Sequence, residues 1–474
     1  MPGNSLIDDG CSNPSPAQVK KNLARALISA LSEKCQAYCV LSGYEGLPES
    51  FDTDIDFMVN REDFQRIPRI IEDLARQNHT QLFQSIEHEV TARAFQLVSL
   101  SGQTLTVVQL DSASDYRHFG SLWLRANEVL AARRRHPNGF WIPSAAHEFI
   151  YYLIKRLNKR DFGPEHGSRL HRLYAEDSPA CDGMIARFWS AQQRIALSRM
   201  AGSGDWTELS ASLELFRAEL MRRTGESLSQ RVLSIPKRAM HVLGRIVRPT
   251  GAWIAFIGPD GSGKSAVIGA VKRQFAPAFR DVQSFHMRPR VLPGSAVAGA
   301  AVTDPHGQAP RGIIASIAKA FYLAADYFLG YAMQIAPALC RTRLILFDRY
   351  IYDLLVDSKR VRYGGPGWLL GLVARIVPRP DLIILLDAPA EILWSRKQEV
   401  PFDEVVRQRS AYLELARRLP STVVVNAAQP VADVIQEVSR ALIAHLSRRT
   451  ARRLRLQISP FPKSRIESDA PSFR

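Results

Sequence analysis

Cysteine is scarce in this chain of 474 residues, and the few cysteines form no recognisable pattern. There are five, an odd number, and their spacing matches neither a disulfide framework nor a zinc site. Acidic residues are also under-represented, because 46 of them face 62 lysines and arginines and leave a net charge of +16. We therefore expect a cytoplasmic protein whose partners are anionic, such as nucleotides, phosphorylated sugars, nucleic acid or an acidic membrane.

Long apolar runs are equally few. The N-terminal stretch carries Asp8 and Asp9 and no such run, so we expect no signal peptide. The most apolar stretch, from Ile313 to Cys340, is long enough to cross a bilayer but contains charged residues. We interpret it as a buried core helix rather than a membrane span.

One glycine-rich stretch, Gly258-Pro-Asp-Gly-Ser-Gly-Lys-Ser265, fits the phosphate-loop pattern. A short apolar run precedes it and a helical pattern follows it, which is the context that the pattern requires. Its glycines let the backbone curl so that N–H groups point at an anion, and the helix N-terminus adds to that field. Lys264 is then expected to reach the β- and γ-phosphates, and the Ser265 hydroxyl to bind Mg²⁺. The expected nucleotide-binding residues are Gly258, Asp260, Gly261, Ser262, Gly263, Lys264 and Ser265.

Short apolar runs alternate with helical patterns from residue 249 to residue 447. Such alternation predicts crossover units and a parallel sheet, with the ligand beyond the carboxyl ends of its strands. The predicted strands are Trp253–Gly258, Val282–Met287, Leu344–Asp348, Asp381–Asp387 and Thr422–Asn426. The main predicted helices are Gly312–Leu339, Ala390–Lys397, Asp403–Leu419 and Val431–Arg448.

Polar residues at the strand ends are the candidates for chemistry. Asp348 is expected to hold the metal beside Ser265, and Arg349 to bind a phosphate through two nitrogens. Arg396 lies where a lid would bring positive charge to the transferring phosphoryl group. The expected catalytic residues are Lys264, Asp348, Arg349 and Arg396.

Other charged residues of this half have two interpretations each. Arg288 and Arg290, separated by a proline, form either a basic edge for the phosphate of an acceptor or a solvated loop. Asp387 either faces the site or caps the turn that follows it.

In the first half, Asp54 and Asp56 lie on a predicted strand that follows the strand Tyr38–Ser42. Side chains alternate along a strand, so both carboxylates point to one face and repel each other unless a cation lies between them. Asp111 ends a further apolar run. Three acids at neighbouring strand ends would suit a divalent metal and a nucleoside triphosphate.

The second half resembles the thymidylate kinase branch of the P-loop nucleoside-monophosphate kinases. The similar residues are the phosphate loop, Asp348-Arg349-Tyr350, and the strand that leads to Asp387. The resemblance implies a five-stranded parallel sheet flanked by helices and phosphoryl transfer from ATP with Mg²⁺, by analogy from dTMP to dTDP. It also implies that Asp260 contacts the nucleoside sugar and that the Asp348-Arg349 pair serves the metal and the acceptor phosphate.

This sequence departs from the family pattern at three places. Ile351-Tyr-Asp-Leu-Leu-Val-Asp-Ser358, followed by Arg360 and Arg362, replaces the run that helps to hold thymine. The arginine-rich lid is shortened to Ser395-Arg396-Lys397, and Arg288-Pro-Arg290 replaces the usual turn after the second strand. Phosphoryl transfer is expected to tolerate these changes better than thymine specificity does.

Residues 20–225 resemble the nucleotidyltransferase superfamily, with Ser42-Gly43 in place of its Gly-Ser turn and Asp54, Asp56 and Asp111 as the expected metal ligands. An α+β domain with a helical part from about residue 144 is implied. Whether this half is an active transferase or an inactive copy is left open. Both halves in one chain resemble bacterial proteins linked to surface-polysaccharide synthesis, which suggests a sugar phosphate as an alternative acceptor.

The predicted organisation is a disordered segment 1–15, a nucleotidyltransferase-like domain 16–225, a basic linker 226–248, a kinase-like domain 249–447 and a basic flexible tail 448–474. We expect the tail to be an idle segment rather than a contact with a membrane. No specific nucleic-acid partner is expected, and a homodimer is left open. The leading hypothesis is a kinase that uses ATP and Mg²⁺. The alternatives are a nucleotidyltransferase whose P-loop half supplies or senses its substrate, and a P-loop module without catalysis.

Overall fold

The computed structural model describes residues 14–52, 54–118, 121–224, 243–292 and 311–456. The chain divides into two compact units, one formed by residues 1–101, 106–238 and 450–474 and the other by residues 102–105 and 239–449. Most of the predicted disordered start, the predicted linker up to residue 242 and the predicted tail from residue 457 lie outside the described residues.

A mixed sheet forms the centre of the first unit. Among the described residues it has five strands in the order β1-β2-β5-β4-β3, with β1 antiparallel and β5 parallel to β2. The strands of this sheet are β1 Tyr38–Ser42, β2 Asp54–Val59, β3 Gln81–Glu89, β4 Ala92–Ser101 and β5 Thr104–Ala113. Two small hairpins follow, made of β6 Asp115–His118 with β7 Ser121–Arg125 and of β8 Arg134–Arg135 with β9 Trp141–Ile142.

Helices pack on this sheet and then continue as a helical part. Leu23, Leu27 and Ile67 belong to one core with the sheet residues Phe57 and Phe95. The helical part begins at Ala145, after the N-cap Ser144, close to the predicted boundary. The helices are α1 Pro16–Lys34, α2 Arg61–Gln77, α3 Ala126–Ala131, α4 Ala145–Lys159, α5 Pro164–Glu176, α6 Ser178–Phe188, α7 Ala191–Ser203, α8 Thr207–Ala211 and α9 Leu213–Thr224.

The second unit is built on the predicted parallel sheet, which is confirmed. Its five described strands lie in the order β11-β12-β10-β13-β14, and each neighbouring pair is parallel. Gly258 does not continue the first strand as predicted, because its φ of 141° turns the backbone out of the sheet. The strands are β10 Ala252–Ile257, β11 Val282–His286, β12 Leu344–Asp348, β13 Leu382–Asp387 and β14 Thr422–Asn426.

Helices cover both faces of this sheet, as βαβ crossovers require. Residues 243–247 are also helical, and two 3₁₀ turns occupy Ala276–Ala278 and Ser358–Val361. The helices of the second unit are α10 Lys264–Phe275, α11 Ile313–Gly330, α12 Ala336–Cys340, α13 Asp353–Val356, α14 Gly367–Ile376, α15 Ala390–Arg396, α16 Phe402–Arg418 and α17 Val431–Leu454.

Two predicted helix boundaries differ from the structure. The predicted helix Gly312–Leu339 is interrupted by a π-helical turn, Tyr331–Ile335, directly before Pro337, which cannot donate a backbone hydrogen bond. The last helix runs to Leu454, so the predicted flexible tail does not begin at residue 448. Arg449 fixes this extension by donating to the carbonyls of Thr250 and Gly251 at 3.0 and 2.7 Å.

One side of the long apolar helix α11 is buried in the core, and the other side is exposed. Ala320, Leu323 and Tyr327 are buried in the core of the second unit, as the sequence interpretation requires. The opposite side carries Ile314 and Phe321, which are 85% and 64% exposed. By length and hydropathy, Ile313–Cys340 passes the criteria for a membrane span, as the core helices of soluble proteins also do.

Candidate active site

The phosphate loop joins the central strand β10 to α10, and its glycines are required by its shape. Gly258, Gly261 and Gly263 have φ values of 141°, 82° and 82°, which other residues rarely adopt. A Cβ atom at Gly258 would lie 2.6 Å from the Leu386 carbonyl oxygen, and one at Gly261 would lie 2.5 Å from that of Leu393. Only glycine at these positions therefore keeps the loop open, so that backbone groups line it.

Lys264, the first residue of α10, is folded back over this loop. Its Nζ donates to the carbonyl oxygens of Gly258 and Pro259 at 2.9 and 2.7 Å and to Ser262 Oγ at 3.1 Å. Burial and the nearby Arg349 guanidinium lower the pKa of Lys264 to about 7. The ammonium group thus lies on the inner side of the loop. Keeping it charged in this buried position costs free energy.

Ser265 and Asp348 meet at the carboxyl ends of β10 and β12. The register of these parallel strands sets Phe256 beside Asp348, and the Ser265 hydroxyl donates to Asp348 Oδ2 at 3.5 Å. His286, at the end of the neighbouring β11, has its Nδ1 atom 3.7 Å from the same carboxyl oxygen. Burial raises the pKa of Asp348, but His286, Lys264 and Arg349 together outweigh it and the net pKa is lowered. The result is an ionised carboxylate beside a hydroxyl, both at the mouth of the loop.

Arg349 is buried in a hydrogen-bonded cluster directly after β12. Its φ of 69° turns the side chain back beneath the phosphate loop. Its guanidinium donates to Asp353 Oδ1 at 3.1 Å and to the Gly258 carbonyl at 3.4 Å. Asp353 is fully buried and also accepts from the Tyr412 hydroxyl at 2.7 Å. The position of Arg349 is therefore fixed from α13 and α16.

Asp260 lies inside the loop and is held by two arginines. It accepts hydrogen bonds from Arg349 and from Arg360. Burial would raise the pKa of Asp260, but the two guanidinium groups hold it well below its usual range. Arg360 also contacts Asp357 at 3.2 Å, so the loop carboxylate is linked to the Ser358–Val361 turn.

Arg396 ends α15, which runs beside the loop. Its Nη1 donates to the Ala427 carbonyl at 2.8 Å, and its Cβ would lie 3.5 Å from a side chain at Gly261. The next residue, Lys397, places its Nζ 3.9 Å from Asp260. The shortened basic segment thus borders the loop, with Arg396 bound to backbone.

Two other charged residues, Arg288 and Asp387, are bound by internal partners that neither of their two interpretations had named. Arg288 donates to the fully buried Asp326 at 3.0 Å and to the Tyr322 hydroxyl at 2.9 Å. Asp387 is bound by both ends of the Arg409 guanidinium at 2.9 and 3.0 Å. Both side chains therefore have internal partners that an acceptor would have to replace.

In the first unit, Asp54 and Asp56 at the start of β2 converge with Asp111 near the end of β5. The parallel register places Asp56 directly beside Asp111, and one oxygen from each acid lies within 4.8 Å of the others. Burial and the neighbouring Asp56 carboxylate raise the pKa of Asp111 to about 7. Three carboxylates at this spacing are oxygen ligands of the type that divalent cations prefer.

A lysine already contributes one positive charge to this triad. Lys155 of α4 lies 2.5 Å from Asp56 Oδ2, and Ser42 Oγ donates to the same oxygen at 2.8 Å. Gly43 has a φ of 74°, so the Ser42-Gly43 turn uses its glycine for backbone conformation and its serine to orient Asp56.

The chain matches no protein-family model. It is 32% identical over 217 residues to the thymidylate kinase of Limosilactobacillus fermentum, which covers 41% of this chain and 96% of that protein. The chain belongs to the thymidylate kinase family. The thymidylate kinase of Pediococcus pentosaceus is 29% identical over 212 residues, covering 40% and 97% of the two chains.

A solved structure of a thymidylate kinase was also found in the comparison. The enzyme from Ehrlichia chaffeensis covers 40% of this chain and 98% of its own, at 17% identity and a TM-score of 0.29. Family membership makes the second unit a P-loop kinase, for which ATP is the expected phosphoryl donor. The nucleotidyltransferase-like character of the first unit stays a prediction.

Several residues of this thymidylate kinase family member could not be assigned from the sequence. Asp353 and Tyr412, which fix Arg349, are 59 positions apart, and Arg360 and Asp260 are 100 positions apart. His286 could have been found from the sequence, because it lies near the end of a predicted strand. In the structure this strand pairs with the one that ends in Asp348. Lys155 lies on a predicted helix with no local feature that points to Asp56.

Proposed function

We propose that this chain phosphorylates a nucleoside monophosphate, dTMP by family resemblance, or a similar small phosphorylated acceptor, with ATP and Mg²⁺. The observation that carries the proposal is the 3.5 Å contact between Ser265 and Asp348 at the mouth of a glycine-built loop. It joins an anion cradle to two oxygen ligands, one in the first turn of α10 and the other at the end of β12. The cytoplasm, favoured by the cysteine content, is the proposed location.

The residues of the loop fit a nucleoside triphosphate and its metal. Side chains at Gly258 and Gly261 would collide with backbone, so these positions leave N–H groups free to face phosphate oxygens. The Ser265 hydroxyl and the Asp348 carboxylate are ligands that Mg²⁺ accepts, and the metal would neutralise charge on the transferred phosphoryl group. Lys264 would leave its carbonyl partners in the loop to bind the phosphates.

For the acceptor we assign Arg349 and Asp260. Arg349 lies beneath the loop with its guanidinium oriented by Asp353, which suits a group that must hold a phosphate in line. Asp260 would contact the sugar, and Arg360 and Lys397 would keep it ionised. Arg396 would cover the leaving-group side after release from the Ala427 carbonyl.

A mass-spectrometric screen of the full-length chain tests this proposal. The chain is incubated with MgATP and a panel that contains dTMP, the other common nucleoside monophosphates and several sugar phosphates. We expect one phosphoryl group to be gained by dTMP or by a close analogue, and none with the Lys264→Ala chain. Tight ATP binding without transfer to any acceptor would instead support a P-loop module without catalysis.

Nucleotidyl transfer by the first unit is the second candidate function, and the triad of Asp54, Asp56 and Asp111 favours it. These carboxylates would bind Mg²⁺ and orient a nucleoside triphosphate, with Lys155 holding Asp56 in place. ATP labelled at the α- or γ-phosphate separates the two activities. Label transferred from the α position, and lost in Asp54→Ala and Asp56→Ala, would support this candidate, whereas γ-label transfer that survives these changes supports the kinase alone.

A further inference from the structure

The segment that follows β11, residues 287–292, is fixed to α11 by a fully buried carboxylate. Asp326 accepts hydrogen bonds from the Arg288 guanidinium at 3.0 Å and from the backbone N–H groups of Arg290 and Leu292 at 3.2 and 2.8 Å. These donors occupy both carboxylate oxygens of Asp326. The segment is therefore a fixed wall, and the charge of Asp326 is used to hold it.

Lys319 lies on the same helix, about two turns before Asp326. Its Nζ atom is 4.9 Å from the centre of the Tyr322 ring, and the central carbon of the Arg288 guanidinium is 5.4 Å from the centre of the same ring. Two cations thus share one aromatic side chain. Among the residues that the structure describes, no carboxylate forms an ion pair with Lys319.

Arg311 brings a third positive charge close to Lys319. Burial and the charges of Arg288 and Arg311 lower the pKa of Lys319, and the nearby Asp326 only partly opposes this shift. The three cations therefore repel one another beside a single carboxylate that already has its donors. A partly buried cluster of like charges is stabilised when an anion binds to it, because the Coulomb interaction is strong away from bulk water.

Contacts within the second unit connect this cluster to the phosphate loop on one side. Arg360, in the Ser358–Val361 turn, binds the loop carboxylate of Asp260. Two residues later, the Arg362 carbonyl accepts from the backbone N–H of Arg311 at 3.0 Å. The turn thus links the loop to the chain that enters α11.

Further contacts connect the cluster to the strand ends on the other side. Ser316 Oγ, in the first turn of α11, donates to the Arg311 carbonyl at 3.3 Å and accepts from the Gly364 N–H at 2.9 Å. At the end of β11, the Met287 N–H donates to the Asp348 carbonyl at 2.9 Å. Together the contacts form a ring around the carboxyl ends of β10, β11 and β12, where ligands of parallel sheets bind.

The position of Lys319 along α11 sets its distance from the acceptor arginine. The Tyr327 ring lies 4.9 Å from the ring of Tyr350, the residue that follows Arg349. Lys319 precedes Tyr327 by eight residues, which is about 12 Å along the helix axis. A nucleoside monophosphate has a comparable length from its phosphorus atom to the far edge of its base. An acceptor whose phosphate is held by Arg349 would therefore reach Lys319 with its opposite end.

We propose that the acceptor carries a second anionic group, a phosphate or a carboxylate, at the end away from the phosphate that accepts the phosphoryl group, and that Lys319 binds it. This inference rests on the proposed function and adds the charge of the acceptor to it. Arg288 keeps its bond to Asp326, while Arg311 adds to the positive potential. An uncharged base leaves the Lys319 ammonium without a counter-charge.

Matched pairs of ligands test this assignment on the full-length chain. Orotidine 5′-monophosphate differs from uridine 5′-monophosphate by one carboxylate on the base, and glucose 1,6-bisphosphate differs from glucose 1-phosphate by one phosphate. With Mg²⁺ and a non-hydrolysable ATP analogue present, titration calorimetry should give a Kd at least about tenfold lower for the doubly anionic member of a pair. The pair that shows this difference identifies the group as a carboxylate or a phosphate. The difference should shrink as the ionic strength rises.

Substitutions at Lys319 test whether this residue provides the recognition. Lys319→Met should remove the advantage of the doubly anionic ligand and change the Kd of its singly anionic counterpart by less than about twofold. Lys319→Arg should retain most of the advantage, because the positive charge remains. Lys272→Met, at an exposed position of α10, removes the same charge elsewhere and is the matched control. Thermal unfolding without ligand should show no loss of stability in Lys319→Met, because repulsion among the cations is relieved.

Three results would overturn the inference. Equal affinity, or no binding, for both members of both pairs would show that no second anionic group is recognised. An advantage that survives in Lys319→Met would place the recognition elsewhere. A higher kcat/KM for dTMP than for every doubly anionic acceptor would contradict the inference and leave the proposed kinase intact. Conversely, Lys319-dependent binding without phosphoryl transfer would support the anion site and count against the proposed function.

Discussion

Both units place charged side chains on or directly after neighbouring parallel strands, but with opposite balance. In the second unit, the cations Lys264, Arg349 and Arg360 surround the acids Asp260 and Asp348. In the first unit, three carboxylates converge on one cation, Lys155. Neighbouring parallel strands therefore carry a mainly cationic cluster in one unit and a mainly anionic cluster in the other.

The buried support behind each site is similar. In the second unit, Asp353 is fully buried and binds Arg349 and Tyr412. In the first unit, Glu148 is 1% exposed, binds Arg169 at 2.7 Å and accepts from the Tyr44 hydroxyl. Each unit thus has a buried acid that binds an arginine and a tyrosine. Of these two arginines, the one in the second unit is an expected catalytic residue.

The largest expected effect comes from removing these buried acids. Asp353→Ala and Glu148→Ala each remove the buried carboxylate of a guanidinium that keeps only a more exposed one, Asp260 or Glu45, which should lower the free energy of unfolding by about 3–5 kcal/mol. Urea unfolding of both variants measures this loss. At a temperature where both remain folded, phosphoryl transfer should fall in Asp353→Ala alone. Equal loss of activity in both variants would contradict the separation of the two sites.

Lys264→Ala should reduce kcat for phosphoryl transfer by about 10²–10³. The reason is that a preorganised cation no longer stabilises the negative charge that develops in the transition state. Steady-state kinetics with γ-labelled ATP measures this change. Lys272→Ala, an exposed lysine of the same helix, is the matched control and should retain full activity. Unchanged turnover in Lys264→Ala would reject the assigned site.

Lys155→Met should destabilise the first unit by about 1–2 kcal/mol at neutral pH, because Asp56 loses a charged partner among three acids. Thermal unfolding with and without millimolar Mg²⁺ measures the effect, and the divalent cation should restore most of the loss. Lys159→Met, at the exposed end of the same helix, should not lower the stability, and Mg²⁺ should have no loss to restore. Failure of Mg²⁺ to restore stability would mean that the triad does not attract a metal.

The expected effect that is smallest for each pH unit, and that builds up only over several units, is a slope of stability against pH. The pKa of Lys264 is about 7 in the folded chain and 10.5 in the reference state, so above pH 7 the unfolded chain binds more protons. The penalty of burying the charge is present below pH 7 and is relieved as the pH rises toward 10.5. The stability of wild type relative to Lys264→Met should therefore rise by at most about 1.4 kcal/mol per pH unit, as measured by urea unfolding. A flat difference would show that Lys264 stays protonated in the folded state.

Sequence reasoning was strongest where function depends on adjacent residues. The phosphate loop, the strand that ends in Asp348 and the order of strands and helices in the second unit follow from local spacing. The metal, acceptor and lid roles of the predicted residues remain predictions. The interpretation of Ile313–Cys340 as a core helix was only half right, because apolar composition cannot tell a buried helix face from an exposed one.

The sequence by itself determined where a glycine loop, a parallel sheet and three candidate acids would occur, because backbone conformation and side-chain alternation depend on neighbouring residues. Only the tertiary structure decided that Arg360 holds Asp260, that Asp353 and Tyr412 fix Arg349, and that Lys155 neutralises Asp56. Each of these contacts joins residues from different elements, and its energy depends on distance and burial, which exist only once the chain has folded.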